Sequence, residues 1–405
     1  MRVSALPELT TKDLLSGFVR HSVFEEFYGK PVTRFYHGRG ALWRGIKLLG
    51  LGGRDKVLLP SYHCGIEVEA VRQAGVGIEF YRIKDDMTAD LAMLEEKAKA
   101  GCKAVLVIHY FGFPQPIELI RQICQRRNLF LIEDCAQALF SSCGGQPLGT
   151  HGDIAIFSPP KSLSLPDGGA LLINNPGIKG ALSTKRPNSL VVWKRVVGLL
   201  IQSQGDEENK DILHPSADRI RGLCRKLVPD HLRRTYNIGN VFDVSMGYIG
   251  MSSISRRIMD STPIERVVRR RRLNFEYLLE GIRDSDYWKA CFTSLPEGAC
   301  PLFFPVRVIG ALRPGIQALL AGSGTGTFVF GEQLHRDLPR GEFPEAERLS
   351  REVLCLPVHQ HLDEENLDSV VRAMDSIARN PCGGGSKRKV QPGRFSDLYF
   401  LRHQS

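Results

Sequence analysis

Short apolar runs alternate with amphipathic helical segments through the first half of the chain. Each run has the length of a buried strand, and each intervening segment repeats its apolar residues at helical spacing. This alternation predicts a doubly wound α/β domain with a mostly parallel sheet flanked by helices, in which ligands bind at the carboxyl ends of the strands. The predicted strands cover residues 56–60, 77–83, 104–108, 129–134 and 153–157, and the predicted helices cover residues 38–49, 66–74, 91–100 and 117–127.

Lys161 closely follows the predicted strand at 153–157, and another apolar stretch at 168–172 comes soon after it. At the mouth of a buried strand an amine is partly desolvated, so it loses its proton more easily and can attack an aldehyde. Taken alone, Lys161 is also explained as a solvated lysine in a strand-to-loop connection.

Asp134 stands at the end of the predicted strand at 129–134. A buried carboxylate there can keep a cofactor's pyridine nitrogen protonated, which that ring needs to act as an electron sink. Capping of a following helix is the alternative role. Because Asp134 and Lys161 both follow predicted parallel strands, we expect them to share one pocket, and together they indicate pyridoxal 5'-phosphate (PLP).

A glycine pair opens the first predicted helix of this domain, in the sequence Gly38-Arg39-Gly40. Backbone N–H groups at a helix start can bind phosphate with help from the helix dipole. A simple turn would use the same residues, so the pair is a weak signal by itself.

The order of these motifs resembles the DegT/DnrJ/EryC1/StrS family, the PLP-dependent sugar aminotransferases of fold type I. The resemblance extends from about residue 30 to 380 and looks like a divergent branch of the family. The matching segments are 38–42, 59–62, 109–112, 132–137, 152–153, 157–158, 161, 167–170, 343–349 and 352–359.

The resemblance implies a role for each residue of the catalytic motif. Lys161 would form the internal aldimine and move the proton between cofactor and substrate. Asp134 would hold the pyridinium, and Gln137 would donate a hydrogen bond to the phenolic oxygen of the ring.

The resemblance also implies a phosphate site made by the Ser158 hydroxyl and the backbone at Gly38, Arg39 and Gly40. Two departures from the family pattern concern this part of the chain. Only two prolines separate Ser158 from Lys161, a shorter spacing than usual in the family. Where the family has an aromatic residue that stacks on the ring, we expect the imidazole of His63, although a hydrogen-bonded loop histidine explains that residue equally.

The activity implied is transfer of an amino group from glutamate or glutamine to a keto-sugar, nucleotide-linked, as in polysaccharide biosynthesis. A homodimer with a shared active site is part of the same expectation. A sugar dehydratase or other elimination enzyme of the same family is an alternative, since one lysine does not determine the reaction. A non-catalytic assembly protein with the same fold is the second alternative.

The chain is long enough for two domains. We predict a large PLP-binding domain at 1–254, a small C-terminal α+β domain at 255–380 and a flexible basic tail at 381–405. A divergent insertion at about 178–240 is basic and apolar, and its segment 190–201 predicts a packed helix or, alternatively, a membrane contact. The small domain is predicted to contain helices at 264–282, 315–321 and 364–379 and strands at 303–308 and 325–330.

The formal net charge of +10 and the run Arg269 to Arg272 suggest anionic partners. An anionic cofactor and a nucleotide-linked sugar are enough to explain the positive net charge. The sequence has no recognisable nucleic-acid-binding motif. A charged helix face is the alternative explanation of the run. The ten cysteines include no CxxC pair, so we expect reduced thiols, a cytoplasmic protein and no metal site. No apolar run reaches membrane-spanning length.

Overall fold

The computed structural model describes residues 2–15, 22–98, 101–180, 182–203 and 242–379. Most of the predicted insertion and the whole predicted tail at 381–405 lie outside these residues. The described strands are β1 Thr33–Phe35, β2 Lys56–Pro60, β3 Gly77–Tyr81, β4 Cys102–Ile108, β5 Phe130–Asp134, β6 Ser142–Cys143, β7 Gln146–Pro147, β8 Ile154–Phe157, β9 Gly169–Ile173, β10 Trp288–Ala290, β11 Phe303–Val308 and β12 Val353–Pro357.

A seven-stranded sheet forms the centre of the molecule, in the order β1-β9-β8-β5-β4-β2-β3. The pairs β2–β3, β2–β4, β4–β5 and β5–β8 are parallel, whereas β9 pairs antiparallel with both β8 and β1. The central strands are buried on both faces, as expected when helices cover a parallel sheet. The predicted α/β class with a mostly parallel sheet is confirmed.

The helices alternate with the strands of this sheet as the apolar pattern predicted. The prediction at 117–127 is matched by α6, which ends where Asn128 adopts the left-handed conformation, with φ 53°. The described helices are α1 Thr11–Leu14, α2 Val23–Tyr28, α3 Gly38–Leu48, α4 Ile66–Gln73, α5 Leu91–Lys97, α6 Ile117–Arg127, α7 Ser189–Ser203, α8 Ser253–Asp260, α9 Ile264–Gly281, α10 Arg313–Gly322, α11 Pro344–Glu352 and α12 Glu364–Arg379.

A second, antiparallel sheet of three strands, β10-β11-β12, lies in the C-terminal part of the chain. The prediction of a strand at 325–330 is wrong, because that segment forms only isolated β-bridges. Thr325 pairs with Val3, and Phe328 pairs with Cys355 of β12. The segment divides its hydrogen bonds between these two partners, so no continuous ladder forms.

The apolar segment predicted as a helix in the insertion is α7, which buries Val192 and Val196 and exposes Leu190 and Trp193. Among the described residues, no helix is both long and apolar enough to cross a bilayer. The eight cysteines in the described ranges are free thiols.

Candidate active site

Asp134 and Lys161 both lie at the carboxyl edge of the parallel strands. Asp134 is the last residue of β5, in register with Ile108 of β4 and Ile156 of β8. Lys161 ends a short 3₁₀ turn directly after β8 and is half-buried. The two side chains are close enough for the positive charge of Lys161 to lower the pKa of Asp134. The predicted pair therefore occupies one place in the fold, set by the ends of adjacent strands.

The Asp134 carboxyl group is buried, with 2% of the residue exposed. Its Oδ1 accepts a hydrogen bond from the Ala136 N–H at 2.8 Å. Burial, and then the negative charge of Glu67, raise its pKa to about 7, against the opposing effects of Lys161 and the Ala136 N–H. A carboxyl group in this state is ready to accept a cationic partner, because a positive charge beside it would restore its ionised form.

Gln137 directly follows Ala136 and is buried. Its amide oxygen accepts a hydrogen bond from the Phe111 N–H at 3.2 Å, in the loop that follows β4. Phe111 adopts a left-handed backbone conformation, with φ 55°. Since the amide oxygen is already bonded, the NH₂ end of Gln137 remains to donate to a ligand, as the predicted role requires.

Gly38 and Ser158 are brought together at the start of α3. A Cβ atom on Gly38 would lie 3.2 Å from the Ser158 Cβ and 3.6 Å from its hydroxyl oxygen. Arg39 is buried, and burial, followed by the charge of Arg195, lowers its pKa to about 10. A helix N-terminus, a hydroxyl group and two arginines form a suitable cradle for a phosphate.

Gly40 has a different environment from Gly38. Its N–H donates to the His37 carbonyl oxygen at 3.1 Å, and a Cβ atom on it would lie 3.0 Å from the Met246 carbonyl oxygen. Its lack of a side chain is therefore explained by packing against the segment around Met246, and its role in phosphate binding stays a prediction.

His63 is fully buried and faces β3. Its ring centroid lies 5.6 Å from that of Phe80, and its Nδ1 accepts a hydrogen bond from the Gly65 N–H. Burial, and then the charge of His335, lower its pKa to about 3. The described contacts of the ring are thus with Phe80 and the Gly65 N–H, and none joins it to Lys161 or Asp134.

Sequence reasoning missed two residues of this site, Cys64 and Glu67. The Cys64 thiol donates to the Glu67 carboxylate, with its sulfur 3.1 Å from each oxygen. The signal in the sequence was a glutamate three residues after a cysteine, at the start of a helix. Cys64 lies in the loop just before the Gly65 cap and Glu67 lies in the first turn of α4, so the thiol reaches across the start of the helix to the carboxylate.

Beside Asp134, the side chains of His109, Glu133 and Cys135 place one potential ligand atom each within 4.8 Å of one another. The Glu133 carboxylate already accepts hydrogen bonds from His109 Nε2 at 3.2 Å and from the N–H groups of Gly149 and Gly152. The arrangement works as a buried hydrogen-bond network that holds the end of β5.

The fold is an α/β fold consistent with PLP fold type I. An aminotransferase named TlmJ from Streptoalloteichus hindustanus superposes with a TM-score of 0.67 and 23% identity, over 93% of this chain and 98% of that one. A DegT DnrJ EryC1 StrS aminotransferase from Brucella abortus superposes with a TM-score of 0.61 and 19% identity, over 89% and 92% of the two chains.

Residues 23–200 match the model of the DegT/DnrJ/EryC1/StrS aminotransferase family, in agreement with the resemblance of the sequence motifs. The chain is 28% identical over 176 residues to a GDP-perosamine synthase from Vibrio cholerae, covering 42% of this chain and 48% of that protein. It is 27% identical over 345 residues to a dTDP-4-dehydro-2,3,6-trideoxy-D-glucose 4-aminotransferase from Saccharopolyspora spinosa, covering 82% and 80%. The chain spans about half the length of the GDP-perosamine synthases that it matches.

Proposed function

We propose that this protein is a PLP-dependent aminotransferase that moves an amino group from glutamate or glutamine to a keto-sugar, nucleotide-linked. The observation that supports it best is the convergence of Lys161 and the buried Asp134 at the carboxyl ends of β5 and β8. An amine beside a buried acid with a raised pKa suits a cofactor that joins an aldehyde to a basic ring nitrogen.

The described residues fit PLP at each of its polar groups. Lys161 would bind the aldehyde carbon, Asp134 would face the ring nitrogen, and Gln137 would donate to the phenolic oxygen through its NH₂ group. Ser158 and the start of α3 would hold the phosphate. When bound, PLP supplies an electron sink that stabilises negative charge on a carbon attached to the amino nitrogen.

The chain itself then has three tasks. Asp134 keeps a proton near the ring nitrogen, because its burial makes an isolated negative charge unfavourable there. Lys161 would hold or return a proton at the reacting carbon. The phosphate cradle fixes the orientation of the cofactor, so that Lys161 stays on one side of it.

The sugar substrate is supported by the relatives, because two of them are named for GDP-linked and dTDP-linked sugars. The net charge of +10 is compatible with an anionic substrate of that kind. The proposal also includes a homodimer with a shared site and a cytoplasmic location. It divides the chain into domains at 1–254 and 255–380. The two separate sheets support that division.

The cofactor is tested by adding PLP to the purified protein and recording visible absorbance. We expect a band that depends on Lys161 and is lost in Lys161→Ala. Lys289→Ala is the matched control, since Lys289 is an exposed lysine on β10. Equal spectra for wild type and Lys161→Ala would contradict the assignment of Lys161.

The reaction is tested with the loaded protein and a panel of amino donors. Glutamate should yield 2-oxoglutarate in a single turnover, and a subsequent screen of keto-sugar nucleotides should then identify the acceptor. Release of 2-oxoglutarate separates an aminotransferase from an eliminating enzyme. Failure of every donor in the panel would reject the proposed activity, even with the cofactor bound.

A further inference from the structure

Cys64 and Glu67 lie in the loop and first helical turn that follow β2. β2 pairs with β4, so this loop lies at the same sheet edge as the loop after β4, and the Tyr110 hydroxyl donates to the Tyr62 carbonyl oxygen. Gly65, with φ 86°, starts α4 and turns the chain back. Glu67 therefore sits in the first turn of α4, where the helix dipole stabilises a negative charge.

The pair is surrounded by the charged groups of the candidate site. The charge of Lys161 lowers the pKa of the Cys64 thiol, and the carboxylate of Glu67 raises the pKa of Asp134. Glu67 is 6% exposed, and Cys64 is half-buried. His63, the neighbour that was expected to contact the ring, is instead packed on Phe80.

We propose that Cys64 is the residue of this loop that contacts the bound cofactor, and that Glu67 is a positioning residue that holds the Cys64 thiol in place. The inference rests on the proposed function, because it concerns the same site. The carboxylate accepts the thiol proton through either oxygen, which fixes the side chain. It also keeps the sulfur neutral, so that Cys64 presents a compact, polarisable and unreactive group to a flat ring.

The charges around the thiol explain why it stays neutral. Burial, and then the Glu67 carboxylate, raise the pKa of Cys64 well above its ordinary value, while Lys161 acts in the opposite direction. Among the residues that the structure describes, Arg39 and Tyr62 would also respond to the charge of a Cys64 thiolate. A neutral thiol next to Lys161 does not compete with the lysine for an aldehyde, because the thiolate is the nucleophilic form.

The first experiment measures protection of Cys64 by PLP. Wild-type protein is treated with iodoacetamide, and alkylation of the Cys64 and Cys143 peptides is followed by mass spectrometry. Cys143 is the internal control, since it is also half-buried but lies on β6. At a PLP concentration ten times its dissociation constant, alkylation of Cys64 should slow about tenfold while that of Cys143 is unchanged.

The second experiment measures the effect of Glu67 without cofactor. In Glu67→Gln the carboxylate charge is lost, so alkylation of Cys64 at pH 8 should accelerate about tenfold relative to Cys143. Glu67→Asp keeps the charge and should restore most of the slow rate. Equal rates in wild type and Glu67→Gln would overturn the positioning role of Glu67.

The outcomes distinguish this inference from the proposed function. A Lys161-dependent visible band without protection of Cys64 would overturn the inference and leave the proposed function intact. Absence of the band in the wild type would reject the proposed cofactor, and the inference with it. The protection experiment uses only wild-type protein, so it decides the matter even if Glu67→Gln does not fold.

Discussion

The guanidinium group of Arg271 donates a hydrogen bond to the Ser162 carbonyl oxygen at 2.9 Å, one residue beyond Lys161. Arg271 is 1% exposed and also donates to the carbonyl oxygens of Pro301 and Leu302 and to the Gln360 side chain. It joins α9 to the loop of Lys161. The arginine run at 269–272 thus includes a residue with a purely internal role, which neither an anionic partner nor a charged surface explains.

Arg271→Leu should destabilise the protein by about 3 to 5 kcal/mol, because the carbonyl oxygens of Pro301 and Leu302 and the side-chain oxygen of Gln360 lose the Arg271 donor. Arg269 is exposed on the same helix, so Arg269→Leu is the matched control and should change the stability little. Urea unfolding followed by circular dichroism measures both. Similar midpoints for the two variants would contradict the role assigned to Arg271.

Asp134→Asn should change how the stability of the cofactor-free protein depends on pH. The pKa of Asp134 is raised from 3.8 to about 7, mainly by burial and then by Glu67, so the folded protein holds this proton more tightly than the unfolded chain does. The contribution of Asp134 to the free energy of unfolding is therefore fully present below pH 3.8 and is lost as the pH rises through about 7. It amounts to roughly 4 kcal/mol at most.

Unfolding free energies at pH values from 4 to 8 test this prediction. The difference between wild type and Asp134→Asn should fall with rising pH in that window. Asp375→Asn, at an exposed position of α12, is the control and should leave the profile unchanged. Parallel profiles for wild type and Asp134→Asn would show that Asp134 does not hold a proton in the folded protein.

Gly38→Ala should weaken PLP binding about tenfold, through loss of one hydrogen bond of the phosphate cradle. The new Cβ would lie 3.2 Å from the Ser158 Cβ, so Ser158 must shift. Gly198→Ala in α7 is the control, because its Cβ would meet open space. A fluorescence titration with PLP compares the two, and an unchanged dissociation constant for Gly38→Ala would place the phosphate elsewhere.

Glu133→Gln should lower the stability by about 2 to 3 kcal/mol, since an amide accepts through only one atom and leaves a buried N–H unpaired. Burial alone would raise the pKa of Glu133, but His109 and the N–H groups of Gly152 and Gly149 bring it below 4.5. Its contribution is therefore present above pH 4.5 and is lost on acidification through the lower, folded-state pKa.

Thermal unfolding at pH 7 and pH 3 measures this effect. The difference between wild type and Glu133→Gln should be larger at pH 7. Glu118→Gln is the control, because the Glu118 side chain is 63% exposed although it also pairs with a histidine. If Glu118→Gln lowered the stability as much as Glu133→Gln does, the importance of burial would be contradicted.

Much of the fold was predictable because its signals are local. The helix at 117–127 and the strand that ends at Asp134 follow from apolar spacing, and the placement of Asp134 near Lys161 follows from the rule that parallel strands share a carboxyl edge. The predicted strand at 325–330 failed because its partners, Val3 and Cys355, are distant in sequence.

The sequence by itself therefore determined the α/β class, the family resemblance and the Lys161 and Asp134 pair, since each depends on periodicity or on the order of motifs along the chain. Only the tertiary structure decided the direction of each side chain. It turned His63 toward Phe80, joined Cys64 to Glu67 and buried Arg271 behind Lys161. Such choices depend on packing and electrostatics between distant segments, which no local pattern specifies.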